Sequence, residues 1–256
     1  MNIDQLTDVA RKVRRQIFDF KVLAQAGHLA SSLSCVDLLV SLYYDPQTLF
    51  SPQKDIIIFS KGHGSPSVYP ILADLGIIDP YELKKYCQPE GILKLHADWT
   101  IPGCHFVGGS LGNGLGYASG LVYKREERAY VILGDAELYE GCIWESLLFI
   151  SHHNIVNMHL LIDRNGMGIL GKTEETLKLE PLADKFSSFG FAVQIIDGHD
   201  FEQLNRALSR NDDVPLVTIA NTVKGKGVSY MEDIWQYHTI IPKDENLVVI
   251  GREELR

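Results

Sequence analysis

Two short apolar runs, Ala129–Leu133 and His159–Ile162, bracket an amphipathic segment, and each runs into a polar cluster. The first cluster opens with Asp135. The second reads Asp163-Arg164-Asn165-Gly166. Short apolar runs around a helical pattern predict strand–helix–strand. Two strands joined by a helical crossover lie parallel, so both polar clusters fall at carboxyl ends, the edge where open α/β sheets bind ligands. One carboxylate, one amide oxygen and turn carbonyls are hard oxygen donors, suited to Mg²⁺ shared with a phosphate.

The rest of the chain repeats the alternation. Residues 4–25 place Leu6, Val9, Ala10, Val13, Ile17 and Phe20 at helical spacing, and Ser34–Tyr44 predicts a second helix ended by Asp45-Pro46. Asp55–Ser60 predicts a strand running into Lys61-Gly62-His63-Gly64, then a helix from Pro66 to Leu75. Residues 76–106 read as irregular. Helices over Leu182–Phe189 and Phe201–Ser209 alternate with strands over Ala192–Asp197 and Leu216–Thr222. The pattern predicts an α/β fold, a mostly parallel sheet with helices on both faces. No repeat or linker interrupts it, so residues 1–256 read as one domain. The tail beyond Tyr230 is poorly patterned and is expected to form surface structure or an interface. Gly112, Gly116 and Gly120 share one helix face and are expected to admit another backbone closely. They do not make the G-x-G-x-x-G of a dinucleotide fold.

The formal net charge of −9 argues against a general nucleic-acid or membrane-surface role. A bound diphosphate would also be repelled overall. With no lysine in Gly134–Gly141, it is expected to need a metal or helix N-termini. No apolar stretch approaches a membrane span, and the charged N-terminus lacks a signal-peptide core, so a cytoplasmic location is expected. Cys35, Cys87, Cys104 and Cys142 are widely spaced and read as buried, reduced thiols.

His28, His63, His96 and His238 stand beside glycine, proline or polar turns, where imidazoles can move protons or bind hydroxyls and phosphates. Each alone reads more readily as a structural histidine. His152 and His153 lie in a predicted helix, and His159 and His199 suggest no role. Glu137 and Glu140 are either favourable charges at a helix start or, for Glu140, a group reaching toward a partner or base.

The order G-D-x-E-x-x-E-G followed by the N-G of Asn165-Gly166 resembles the thiamine-diphosphate signature. Around it the chain is similar to the N-terminal half of transketolases over nearly its whole length. The matching blocks include Gly27-His28, Ser60–Gly64, His96, Gly109–Leu115, Gly134–Glu145, Asp163–Gly166, Asp197–Asp200, Val223–Val228 and His238. The resemblance implies Mg²⁺ (or Ca²⁺ or Mn²⁺) held by Asp135 and Asn165 side chains and the Met167 carbonyl. It implies cofactor contacts from His63, Gly109, Ser110, Leu111, Asp135, Ala136, Glu140, Asn165 and His238. It implies a catalytic set of His28, His63, His96, His238 and Glu140, with His28 and His96 along the substrate channel. Ala136 stands where the signature usually has glycine, His105–Gly109 departs from the family pattern, and Thr239 follows His238 where glycine is usual.

Transketolases continue into a domain that covers the aminopyrimidine and supplies a glutamate to it, and 256 residues leave no room for one. The resemblance therefore implies the N-terminal subunit of a two-chain transketolase, active with a separately encoded C-terminal subunit, in an α₂β₂ assembly. Such an enzyme transfers a two-carbon ketol unit from a ketose to an aldose or aldehyde. A subunit of a decarboxylating 2-oxo-acid thiamine enzyme and a non-catalytic structural subunit stay open at this point.

Overall fold

A computed structural model describes residues 1–256. Its elements are α1 (Ile3–Ala24), α2 (Leu29–Leu33), α3 (Val36–Tyr44), β1 (Ile56–Phe59), α4 (Tyr69–Asp74), α5 (Asn113–Val122) and β2 (Ala129–Gly134). There follow α6 (Gly141–His152), β3 (Met158–Arg164), α7 (Thr173–Thr176), α8 (Leu182–Ser188), β4 (Ala192–Asp197), α9 (Phe201–Leu208), β5 (Leu216–Asn221) and α10 (Glu245–Glu254). The five strands form one sheet in the order β1-β2-β3-β5-β4, every pairing parallel.

Side-chain alternation along the strands divides the core in two. Tyr130, Ile132, Leu161 and Ala220 join the larger cluster, under α1, α3 and α9. Val131, Leu133, Leu160, Ile162, Val217 and Ile219 join the smaller one, under α5, α6 and α8. The central strands are thus apolar on both faces, as a sheet covered by helices requires.

The pairing also sets the site. Gly134 pairs with Asp163, and Asp163 with Ala220, so the carboxyl ends of β2, β3 and β5 finish level. The adjacent parallel strands expected around Asp135 and Asn165 are therefore present.

Several expectations are corrected. The helix over Pro66–Leu75 is a 3₁₀ turn, Gly62–Val68, followed by the short α4. Its tight winding carries His63 directly off the end of β1. The helix expected over Ser34–Tyr44 is present as α3, starting two residues later at Val36 after a turn that separates it from α2. The tail is surface structure, as expected, but it contains a helix that the pattern did not show. Asp244 caps α10 through its side chain, and Gly251 meets α1 so closely that a β-carbon there would lie 2.6 Å from Phe18 Cζ. The glycine stripe also differs. Gly112 is tightly packed with φ +82°, a β-carbon there running into Cys142 Sγ, and Gly116 lies against Ser146 of α6, where a β-carbon would be 3.1 Å from Oγ, whereas Gly120 has nothing within 4 Å. Of the four free thiols only Cys35 and Cys104 are buried; Cys87 is exposed and Cys142 intermediate.

Candidate active site

Loops from the carboxyl ends of β1, β2, β3 and β5 enclose one pocket. Of the residues singled out in the sequence, His63, Leu111, Asp135, Ala136, Glu140, Asn165, Met167 and His238 line it. His28, just ahead of α2, reaches the same wall by stacking on His63 with ring centroids 3.6 Å apart; His96 follows at 5.4 Å from His63. Gly109 and Ser110 are exposed, and Gly109 packs beside the His96 ring.

The oxygen donors are held by their own loops. Asp135 is buried, and its Oδ2 accepts from Gly166 N at 2.6 Å and from Arg164 at 3.2 Å. Asn165 Oδ1 accepts from Met167 N at 3.1 Å. Burial, reinforced by neighbouring Asp163, pushes the Asp135 carboxyl up despite Arg164. A buried carboxylate destabilised in this way gains from a cation. The set of carboxylate, amide oxygen and carbonyl therefore fits a hard divalent ion.

The pocket floor holds what sequence reasoning missed. Lys61, at the end of β1, is buried and pairs with Asp163, while also donating to Ser31 O at 2.8 Å and Ser34 Oγ at 3.0 Å. Burial opposes the charge of each, but their mutual attraction wins: the lysine is raised and the aspartate lowered. Lys224, after β5, is 1% exposed and donates to the Met167 carbonyl at 3.2 Å and His238 Nδ1 at 2.8 Å. Burial lowers its pKa to about 8. The expectation that a diphosphate would depend on a metal or helix N-termini, for want of a lysine in Gly134–Gly141, is thus extended. Lys61 and Lys224 both line the pocket, contributed by strands remote in sequence from Gly134–Gly141. A hint existed in Ser60–Gly64 and Val223–Val228, two of the family blocks, each carrying one of these lysines.

Glu137 stands at a helix start, in the first turn of the 3₁₀ segment Asp135–Tyr139, and is also a brace. Buried, it accepts from Ser60, from Gly112 N at 2.7 Å and from Gly134 N at 3.2 Å, tying three loops together. Glu140 is exposed at the rim, against Gly112. The Ala136 methyl faces Gly168, where a β-carbon would lie 3.3 Å away, and Ala136 has no positive φ. It substitutes for glycine without backbone strain.

The histidine wall is neutral. Burial pushes His28 down to about 4, His63 to about 3 and His238 to about 2, with nearby lysines and the other rings adding to the effect; His96 moves the same way. The ring nitrogens of His28, His63 and His96 lie within 4.8 Å of one another. Yet His28 and His63 stack with planes 13° apart, so their in-plane lone pairs run side by side instead of converging on an ion. His28 Nδ1 and His96 Nε2 are buried without a partner. The remaining histidines are elsewhere. His105 lies against the Ile57 backbone, His152 and His153 close α6 beside Tyr123, His159 bonds Thr218, and His199 links Asp37 to Val223 N.

The family model "Transketolase, thiamine diphosphate binding domain" matches residues 6–250. The chain belongs to the transketolase family. It is 34% identical over 270 residues to one of the subunits of the apulose-4-phosphate transketolase of Actinobacillus succinogenes, covering 100% of this chain and 98% of that one. It is 36% identical over 220 residues to the 6-deoxy-6-sulfo-D-fructose transketolase subunit SqwG of a Clostridium species, covering 80% of each. The structure superimposes on transketolase from Campylobacter jejuni with a TM-score of 0.90 and 27% identity, over 100% of this chain but 43% of that one. This transketolase-family chain thus matches the apulose-4-phosphate enzyme's subunit in length and spans less than half of the solved transketolase. No helix is long and apolar enough to cross a membrane.

Proposed function

We propose that this chain is the diphosphate-binding subunit of a two-chain transketolase, transferring a two-carbon ketol unit from a ketose to an aldose or aldehyde acceptor. The observation that carries the reading is the convergence, at one sheet edge, of a hard-oxygen cluster with a wall of neutral histidines. Asp135, Asn165 and Met167 would hold Mg²⁺, and Lys61 and Lys224 lie where they offset a diphosphate. Thiamine diphosphate, once bound, supplies the carbanion chemistry that breaks and forms the carbon–carbon bond. The chain's own residues bind and orient. His28 and His96 offer unpartnered ring nitrogens to sugar hydroxyls, and neutral rings can accept or return a proton there. His63 and His238 join the phosphate end to the sugar end.

Full-length coverage of a relative that is itself named as one subunit of a transketolase supports a second, separately encoded chain that covers the aminopyrimidine and supplies its glutamate. The assembly would be α₂β₂, in the cytoplasm, with the activity confined to the complex. The donor would be a ketose, as the sugar names of the relatives suggest.

The test is a ketol-transfer assay with hydroxypyruvate against pyruvate, run on this chain alone, with thiamine diphosphate and Mg²⁺, and with the partner added. Transfer from hydroxypyruvate only in the mixture supports the proposal. Activity of the single chain, or preference for pyruvate, overturns it. Calorimetry showing no cofactor binding with or without the partner would leave a structural subunit instead.

A further inference from the structure

Lys224, His238 and His63 stand in a row. Lys224 Nζ lies 2.8 Å from His238 Nδ1, and His238 Nε2 lies 3.0 Å from His63 Nδ1. An ammonium has N–H donors and no acceptor, so His238 must accept at Nδ1. A neutral imidazole carries one ring proton. With Nδ1 accepting, the His238 proton sits on Nε2 and is donated to His63 Nδ1. The same rule then places the His63 proton on its own Nε2, which has no hydrogen-bond partner within the chain. Each bond dictates the next. The logic requires neutral rings, and burial keeps both neutral near neutral pH. The lysine is pinned in turn by the Met167 carbonyl, an acceptor only, at 3.2 Å.

We propose that Lys224 is a positioning residue that sets the polarity of this row, so that His63 presents an Nε2–H donor to the pocket. The wall at His63 then selects an acceptor oxygen, a carbonyl or phosphate oxygen, over a group that only donates. That consequence rests on the proposed function. The tautomer assignment does not, because it follows from the row itself.

The experiment reads the tautomers directly, by long-range ¹H–¹⁵N correlation on the full chain labelled with ¹⁵N-histidine, near neutral pH. His63→Gln and His238→Gln assign the signals. Wild type and Lys224→Arg, which keeps only donors, are expected to show both rings as single Nε2–H tautomers. Lys224→Met is expected to add an Nδ1–H population in both rings, while His159, bonded to Thr218, keeps its signals and reports an intact fold. Should the methionine variant not fold, Lys224→Gln, which can donate or accept, makes the same comparison. An Nδ1–H tautomer at either ring in wild type overturns the proposal. So does an unchanged single Nε2–H form after loss of the lysine. Ketol transfer does not enter this readout, so the tautomers and the proposed activity fail independently.

Discussion

Lys61 and Asp163 form a buried ion pair across 102 residues of sequence, and the same carboxylate accepts from Ser34, Thr222 and Asn165 Nδ2. One acid thereby ties β1 to β3 and to the loop after β5, and orients the amide of a proposed metal ligand.

Breaking that pair from one side leaves a buried charge uncompensated. Lys61→Met is expected to lower unfolding free energy by about 3 kcal/mol or more, read by urea denaturation. Lys61→Met combined with Asp163→Asn should recover much of the loss, since the amide oxygen still accepts from Ser34 and Asn165 while its nitrogen donates to the Thr222 hydroxyl, which can turn to accept. A double variant as unstable as the sum of the single ones would show that the pair does not couple.

Asp135→Asn keeps most of the local hydrogen bonding and removes the charge. Calorimetry with thiamine diphosphate and Mg²⁺ should show affinity reduced more than about tenfold, roughly 1.4 kcal/mol. Asp135→Ala should abolish metal-dependent binding. Unchanged affinity in the alanine variant would remove Asp135 from the proposed ligand set.

The Ala136 methyl and the open side of Gly168 predict a compensating pair. Ala136→Gly should leave cofactor affinity within about twofold, a few tenths of a kcal/mol. Gly168→Ala places a second methyl 3.3 Å from the first and should weaken binding, and adding Ala136→Gly should restore it. No restoration would mean that the two methyls do not compete.

Stability should fall on mild acidification. His159 is buried, and burial, with Arg210, pushes it down to about 3 from its ordinary 6.5. The folded chain keeps it neutral while the unfolded chain takes up a proton below 6.5. Its contribution is therefore complete above that pH and is lost as pH drops from 6.5 toward 3. At about pH 5 the loss from this ring alone is about 2 kcal/mol. Asp37 works in a lower window. Burial would raise it, but Arg14 and His199 hold it at about 2, so its contribution disappears only below its ordinary 3.8. Urea unfolding at about pH 7 and about pH 5 checks the first window, and His159→Gln should reduce the difference, the rest coming from the other buried neutral histidines.

The strand ends were legible because apolar runs closing on polar clusters are local patterns, so Asp135, Asn165 and the parallel pairing around them could be read from the chain. The histidines were legible as a set only through the family resemblance; nothing in spacing says that His28 stacks on His63. Lys61 and Lys224 were not read as site residues because a lone lysine ordinarily points to solvent, and only the sheet order brings these two under one pocket. The helix in the tail was not read because the apolar residues of α10 stand at exposed or half-buried positions, and its anchoring depends on Gly251 meeting Phe18 across the fold. The glycine stripe misled for the converse reason: periodicity reveals a face but not whether anything lies against it.

Gly134, Asp163 and Ala220 occupy one rung of the sheet. The loops that follow them are consequently spaced by the strand separation, about 4.8 Å per step. A single-residue insertion in β2, β3 or β5 would advance its loop by about 3.3 Å and turn every following strand side chain to the opposite core. The geometry of the pocket is thus indexed to the sheet like marks on a ruler. Strand length is therefore held fixed by the pocket it indexes.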